Sequence, residues 1–266
     1  MSVIGRVDEL RAVRACVKAQ RHLLLEGPVG VGKTALARSV AEELDRPWVR
    51  VDGDGRYSEA RLVGHFDPPQ VLERGYLPEA FVPGPLVQAM RSGGLLFVNE
   101  LNRMPEGVQN VLLPALDEGL VHVPHLGTVQ AAPGFLVVAT QNPAEFVATG
   151  ELSEALRDRF ELLELGYQPA DEERAIVEAQ CRLAPTDALV AEAVALVRAT
   201  RSDPRVRRGA SVRAAIAIAD LATALDGDLA TAASLALPTR IELFDPRGTD
   251  VAQLLAELAA KKAPAR

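Results

Sequence analysis

Apolar residues in the first 165 positions alternate between short continuous runs and segments with helical spacing. The continuous runs predict buried strands at 23–25, 48–51, 95–98, 135–140 and 161–165. Helical spacing between them predicts helices at 8–18, 34–44, 85–91, 106–118 and 153–158. Because strands and helices alternate, the pattern predicts an α/β fold with a parallel five-stranded sheet flanked by helices.

The pattern changes after Gly166, where the strands stop and alanine-rich helices begin. Helices are expected at 171–182, 187–199, 211–225, 229–235 and 250–261. This change predicts two domains, an α/β domain at 1–167 and a separate C-terminal helical domain at 168–266.

Three local features add detail to this prediction. Residues 52–84 are rich in glycine and proline and are expected to be irregular, with a short hairpin within 74–84. Residues 120–131 alternate weakly around Leu126-Gly127, which predicts a second hairpin. Pro114 lies inside the predicted helix 106–118 and should kink or shorten it.

One stretch between the first strand and the following helix has the spacing of a phosphate-binding loop. It fits G-x-x-x-x-G-K-[ST] and consists of Gly27, Pro28, Val29, Gly30, Val31, Gly32, Lys33 and Thr34. The glycines allow backbone N–H groups to face phosphate oxygens, and the helix N-terminus adds its dipole. Lys33 is spaced to reach the β- and γ-phosphates, and the Thr34 hydroxyl suits Mg²⁺. The alternative is a chance glycine-rich turn, which the strand–loop–helix context disfavours.

Polar residues follow the later strands at the edge where parallel sheets bind their ligands. Glu100 follows the third strand and is a candidate for orienting an attacking water, unless it is a solvated strand end. Asn142 follows the fourth strand and is a candidate hydrogen-bond donor to a γ-phosphate, unless it only forms an Asn-Pro turn. The negative charge of the transition state also has to be stabilised by cations. Further candidates for this role are Arg157, Arg159 and Arg213, although a single arginine is more often an ordinary surface residue.

Composition and net charge limit the kinds of ligand that the chain is expected to bind and the compartment in which it is expected to act. The net charge of −7 and the 4% content of aromatic residues argue against nucleic acid as the primary ligand. No apolar run approaches the ~20 residues of a membrane span, and no signal peptide opens the chain, so a cytoplasmic location is expected. Cys16 and Cys181 lie in apolar helical patterns and are expected to be buried small apolar residues rather than a disulfide or metal pair. The basic run Arg205, Arg207, Arg208 is expected to be a solvated helix start.

Taken in order, several motifs resemble those of AAA+ ATPases of the MoxR type, over nearly the whole chain. The motifs are 27–34, Glu100-Leu101-Asn102-Arg103 after an apolar strand, Ala139-Thr140-Gln141-Asn142-Pro143, 152–160, and Gly209-Ala210-Ser211-Val212-Arg213-Ala214. The resemblance implies a P-loop NTPase fold with a C-terminal helical lid, which binds ATP and Mg²⁺ and hydrolyses the ATP.

The resemblance also implies a role for each matching residue. Lys33 and Thr34 match Walker A, and Glu100 matches the Walker B glutamate. Asn142 matches sensor 1, and Arg213 matches sensor 2 in the lid. Arg159 matches the arginine finger that acts on the nucleotide of a neighbouring subunit, with Arg157 as the alternative. Ile4 and Gly5 resemble the segment that lines the adenine pocket.

Partners follow from the same resemblance. Proteins of this type form homo-oligomeric rings, usually hexamers, and work with a partner that carries a von Willebrand A domain. They remodel or activate client proteins, often by helping to insert a metal or cofactor. Residues 74–84 resemble the insertion in the second helix, and residues 120–131 the hairpin before sensor 1, which often engage partners.

One residue departs from the family pattern. The usual Walker B pair is Asp-Glu, and this chain has Asn99-Glu100. Asparagine keeps an oxygen for a Mg²⁺-bound water but loses the negative charge, so hydrolysis is expected to be slow. An Asn99→Asp exchange is expected to raise turnover or lower the Mg²⁺ requirement. The alternatives are a switch that binds ATP with negligible hydrolysis, and a nucleic-acid motor on the same fold.

Overall fold

The structure, a computed structural model, describes residues 3–142 and 152–260. The chain divides into two compact units, which are described separately. The first comprises Met1–Pro28 and Gly32–Gly166, and the second comprises Val29–Val31 and Tyr167–Arg266.

The first unit contains helices on either side of a central sheet. Its helices are α1 (Val7–Lys18), α2 (Lys33–Glu43), α3 (Glu59–Val63), α4 (Pro68–Arg74), α5 (Pro85–Ser92), α6 (Glu106–Asn110), α7 (Leu112–Asp117) and α8 (Glu154–Arg157). Its strands are β1 (Leu23–Glu26), β2 (Trp48–Asp52), β3 (Gly64–Phe66), β4 (Phe81–Pro83), β5 (Leu95–Asn99), β6 (Leu120–Val123), β7 (Gly127–Gln130), β8 (Leu136–Gln141) and β9 (Glu161–Glu164).

The main sheet has five parallel strands in the order β2-β5-β8-β1-β9. Every residue of β8 is buried, and β5 is buried up to Val98, as expected for strands covered on both faces. The edge strands β2 and β9 are partly exposed. The predicted five-stranded α/β sheet is therefore confirmed.

Two local predictions are changed by the structure. The predicted helix 106–118 breaks at Val111, because Pro114 has no N–H and its ring clashes with the carbonyl four residues earlier, at Asn110. The predicted hairpin within 74–84 is wrong: β4 pairs antiparallel with β3, and Pro78 instead opens a short 3₁₀ turn. Residues 52–84, expected to be irregular, thus contain α3, α4 and the antiparallel strand pair β3–β4. The hairpin predicted at 120–131 is confirmed by the pairing of β6 with β7.

The second unit is mainly helical. It contains α9 (Ala170–Gln180), α10 (Asp187–Ser202), β10 (Val206–Arg208), α11 (Val212–Ala224), α12 (Leu229–Ala236), β11 (Glu242–Leu243) and α13 (Val251–Ala260). The expectation that strands stop after Gly166 is wrong, because β10 and β11 form an antiparallel pair. Arg207 on β10 pairs with Glu242 on β11 at 3.1 Å. Lys261, the predicted end of the last helix, lies outside the described residues.

The basic run at 205–208 lies on and next to β10 rather than at a helix start. Arg205 pairs with Asp203 and Glu257, at 2.9 and 2.8 Å, so its charge is matched by carboxylates. Cys16 and Cys181 are free thiols, and both are partly exposed rather than buried as expected. Within 3–142 and 152–260, no helix combines the length and apolar character needed to cross a bilayer.

Candidate functional site

The phosphate-binding loop connects β1 to α2, as the sequence predicts. Lys33 is the first residue of α2, and Gly32 before it has a left-handed backbone with φ of 93°. Gly27 has φ of 151°, and a Cβ there would lie 2.2 Å from the carbonyl oxygen of Leu165. A side chain at position 27 is therefore excluded by the neighbouring backbone, which explains why glycine opens the loop.

Lys33 folds back over its own loop. Its Nζ donates hydrogen bonds to the carbonyl oxygens of Gly27, at 2.6 Å, and Pro28, at 3.0 Å. The ammonium group is thereby held beside the loop N–H groups that precede α2, and Thr34 follows it half-buried in the first turn. A cation, backbone donors and a hydroxyl at one helix N-terminus form a site for phosphate oxygens.

The ends of three parallel strands lie side by side next to this loop. β5 pairs with β2 and β8, and β8 pairs with β1, which leads into the loop. Asn99 and Asn142 stand at or just after the carboxyl ends of β5 and β8. Asn142 is buried, with 2% of its surface exposed. The sheet order thus brings the two strand ends singled out from sequence to the edge that carries the phosphate loop. Pro143, the last residue of that sequence motif, lies outside the described residues.

Glu100 has an unusual backbone and a defined environment. Its φ of 56° and ψ of 52° place it in the left-handed region, which is uncommon for a residue other than glycine. Its N–H donates to the hydroxyl oxygen of Thr140 at 2.9 Å, and its carboxylate pairs with Arg103 at 3.0 Å. Strained conformations of this kind cluster at functional sites because the surrounding structure must hold them in place.

The side chain of Asn99 joins three strands. Its Nδ2 donates to Asp52 Oδ1 at 3.0 Å, and its Oδ1 accepts from the Thr140 hydroxyl at 3.1 Å. Asp52 also accepts hydrogen bonds from Arg50, which lower the pKa of the Asp52 carboxyl; partial burial opposes this effect, and the bond from Asn99 adds to it. Sequence analysis missed Asp52, although it is a polar residue at a strand end, the signal used for Glu100.

The three candidate arginines have different surroundings. Arg159 Nη2 lies 2.6 Å from Asp117 Oδ2, and its Nη1 donates to the carbonyl oxygen of Ala155. Arg157, at the end of α8, is exposed. In the second unit, exposed Arg213 on α11 lines a small cavity of about 210 Å³ whose wall also includes Tyr167, Arg208 and Arg240. This arginine-lined cavity suits an anion.

The N-terminal segment that contains Ile4 and Gly5 is anchored by Arg6, which sequence analysis did not single out. Gly5 and Arg6 both have positive φ, 68° and 57°. Arg6 is 6% exposed, and its guanidinium bonds Glu9 at 2.6 Å and the carbonyl oxygen of Gly166 at 2.6 Å. One buried side chain therefore ties the start of the chain to the end of the first unit.

Replacing Arg6 by alanine is expected to lower the free energy of unfolding by about 1.5–3 kcal/mol, because it removes buried hydrogen bonds that involve a charged group. Denaturant unfolding monitored by circular dichroism measures the loss. Arg11→Ala, on the helix α1 that follows Arg6, is the control, since Arg11 is exposed and should change stability by no more than about 0.5 kcal/mol. Equal effects of the two substitutions would contradict the anchoring role of Arg6.

Comparison with known proteins agrees with this architecture. The model of the AAA domain (dynein-related subfamily) matches residues 22–160. The gas vesicle ATPase GvpN2 of Halobacterium salinarum is 33% identical over 239 residues, which cover 84% of this chain and 68% of that protein. The protein YeaC of Bacillus subtilis is 29% identical, over 84% of this chain and 74% of its own length.

Solved structures with low sequence identity share the fold. A protein from Cytophaga hutchinsonii assigned as an ATPase superposes with a TM-score of 0.55 at 23% identity, covering 96% of this chain and 89% of its own. A RuvB variant from Thermotoga maritima superposes with a TM-score of 0.57 at 18% identity, covering 87% and 70%.

A parallel sheet in this strand order, with a phosphate loop between β1 and α2, defines the class of P-loop NTPases. Within that class the chain belongs to the AAA family, dynein-related subfamily, and it is an AAA+ ATPase. The AAA+ assignment made from the sequence motifs is thereby confirmed. The roles of individual site residues stay predictions.

Proposed function

We propose that this ATPase uses ATP hydrolysis to remodel or activate a client protein, as MoxR-type ATPases do, and that it works as one subunit of a ring, usually a hexamer. The observation that carries the proposal is the strand-end arrangement at the edge that carries the phosphate loop. There the Thr140 hydroxyl accepts from the N–H of Glu100 and donates to the side chain of Asn99. The similarity to the gas vesicle ATPase GvpN2 supports the ATP hydrolysis on which this proposal depends.

The proposed reaction is in-line attack of water on the γ-phosphorus of ATP. Glu100 accepts a proton from the water as the new P–O bond forms, and the bond to the bridging oxygen breaks to release ADP and phosphate. Asn142 donates a hydrogen bond to the γ-phosphate or to the water. Since Arg103 pairs with Oε2 of Glu100 at 3.0 Å, Glu100 takes the proton on its other carboxylate oxygen, or on Oε2 once this pair opens.

The donor set fits ATP with Mg²⁺. Lys33 and the N–H groups of the loop would bind the β- and γ-phosphates, and the oxygens of Thr34 and Asn99 would hold Mg²⁺ directly or through water. In the described part of the chain no group of three or more His, Cys, Asp or Glu side chains forms a metal cage. Mg²⁺ bound mainly by phosphates and water needs no such cage. When bound, it would neutralise charge on the β- and γ-phosphates.

Four further residues complete the proposed nucleotide site by resemblance to the family. Arg159 would act in trans on the nucleotide of the neighbouring subunit, and Arg213 would bind phosphate from the lid. Ile4 and Gly5 would line the adenine pocket, in a segment that Arg6 anchors. The domain limits, 1–167 for the nucleotide domain and 168–266 for the lid, belong to the same proposal.

A contact between two inserted segments supports a binding surface for the partner or client. Tyr76, after α4, stacks on His125, in the β6–β7 turn, with ring centroids 4.0 Å apart. Leu72, Leu77 and Val82 nearby in the chain are exposed. An exposed apolar patch of this kind suits a protein partner, which we propose to be the client or a protein with a von Willebrand A domain.

Ring formation is testable by sedimentation velocity with and without Mg²⁺ and ATP. We expect nucleotide to shift the 28.4 kDa chain to a species of several times that mass. Lys33→Ala should abolish the shift, because it removes the cation that binds the phosphates. Lys18→Ala, at the end of α1, is the control and should assemble normally. A monomer under all conditions would contradict the ring.

A second candidate function is a nucleotide switch that binds ATP with negligible hydrolysis. Two observations favour it: residue 99 is an uncharged asparagine, and Arg103 pairs with the carboxylate of Glu100. The two candidates differ in one measurable quantity, the rate of a single ATP turnover.

A further inference from the structure

The ends of β2 and β5 approach each other more closely than the sequence suggests. Asp52 and Asn99 are register partners. The N–H of Gly53 donates to the carbonyl oxygen of Asn99 at 2.7 Å, and a Cβ on Gly53 would lie 2.1 Å from the carbonyl oxygen of Glu100. Glycine at position 53 therefore allows the carboxylate of Asp52 to stand beside the residue that departs from the Walker B pattern.

The hydrogen bonds around Asn99 determine how its amide is oriented. An ionised carboxylate only accepts hydrogen bonds, so the side of Asn99 that faces Asp52 must be its NH₂ group. Its oxygen then faces the Thr140 hydroxyl, which in turn accepts from the N–H of Glu100. A single chain of bonds thus runs from the carboxylate of Asp52 to the backbone of Glu100.

We propose that Asp52 supplies the negative charge that Walker B normally carries at position 99, and that Asp52 and Asn99 act as one unit on a Mg²⁺-bound water. The inference rests on the proposed ATPase site and adds a residue to it. Asp52 is a positioning residue: it orients Asn99 and offers its second carboxylate oxygen to the cation's water shell. Mg²⁺ retains several of its waters in proteins, so a carboxylate beyond the first ligand still contributes.

The surroundings of Asp52 are compatible with this role. Its side chain is 58% exposed, so water reaches it. Its other partner, Arg50, bonds both carboxylate oxygens, Oδ1 at 2.7 Å and Oδ2 at 3.0 Å, so this pair has to rearrange before Oδ2 meets the water shell. Arg50 is 48% exposed, and ion pairs at such exposed positions rearrange at little cost. The arrangement also changes the result expected of the single Asn99→Asp exchange. A carboxylate at position 99 would face the carboxylate of Asp52, and the NH₂ group of Asn99 that now donates to Asp52 would be lost. Restoring a usual Walker B pair therefore requires exchanging both residues.

A swap of the charge between the two positions tests the proposal. The probe is a fluorescent ADP analogue, titrated with Mg²⁺ and, in parallel, bound in EDTA. Asp52→Asn should raise the Mg²⁺ midpoint by about tenfold, since removing a unit charge near a divalent cation in water is worth about that much. Affinity in EDTA should stay within about twofold, because Asp52 is not among the residues proposed to bind the nucleotide itself. The double variant Asp52→Asn, Asn99→Asp should return the midpoint close to that of the wild type.

The matched control is Asp54→Asn, which removes the same charge two residues away from a side chain that pairs with Arg56 instead. Thermal unfolding without Mg²⁺ verifies that the variants are folded. An unchanged midpoint in Asp52→Asn, an equal shift in Asp54→Asn, or no recovery in the double variant would overturn the inference. Failure of the wild type to bind the analogue at all would overturn the proposed function as well, so the two failures are distinguishable.

Discussion

Replacing Arg159 by alanine is expected to lower ATP turnover in the assembled ring by about 10³–10⁵-fold, the contribution of an arginine supplied to the γ-phosphate. Nucleotide affinity should be unchanged, because the residue serves the neighbouring site. Arg159 now pairs with Asp117, and their side chains are 28% and 42% exposed. Releasing such a pair costs about 0–1 kcal/mol, so Asp117 does not prevent the arginine from reaching a nucleotide. Phosphate release and analogue binding measure the two quantities.

Arg157→Ala is the control for this prediction, since Arg157 is exposed and only two residues away. A large loss in Arg157→Ala with normal turnover in Arg159→Ala would transfer the role to Arg157. Mixing Arg159→Ala subunits with Glu100→Gln subunits should recover part of the activity, because some interfaces then combine an intact Arg159 with an intact Glu100. Absence of recovery in stable mixed rings would contradict action in trans.

Replacing Glu100 by glutamine is expected to lower steady-state turnover by about 10²–10⁴-fold, the usual contribution of a general base. Glutamine has nearly the same shape but cannot take the proton of the attacking water. ATP affinity and ring formation should persist, because Lys33 and the loop N–H groups are untouched. Steady-state phosphate release measures the loss, and Glu106→Gln at the exposed start of α6 is the control. Equal turnover in Glu100→Gln and the wild type would remove Glu100 from the proposed mechanism.

The part of the fold that sequence predicted well is the part that depends on local pattern. The buried strands β5 and β8 are continuous apolar runs, which few other structures accommodate. The loop between β1 and α2 has a spacing that phosphate binding itself requires. Glu100 was found for the same reason, since it directly follows an apolar strand.

The features that sequence missed depend on contacts between distant residues. Arg6 bonds Gly166 across 160 positions, and no local pattern signals that contact. The pairing of Asp52 with Asn99 depends on the register of two strands that are 47 residues apart. The strands β10 and β11 are short and lie between helices, so the apolar pattern of the sequence around them predicts only helices. Local sequence patterns therefore predict the candidate catalytic residues, whereas the residues that hold them in place are seen only once the fold is known.

Glu100, held at the strand ends beside the phosphate loop, is proposed to activate water for ATP hydrolysis. The most direct measurement is a single-turnover experiment with enzyme in excess over radiolabelled ATP and with saturating Mg²⁺. We expect the wild type to hydrolyse bound ATP at least about 100-fold faster than Glu100→Gln, with equal amounts of ATP bound. Equal rates in the two proteins would show that Glu100 does not activate water, and equal rates that are also negligible would identify the chain as a nucleotide switch.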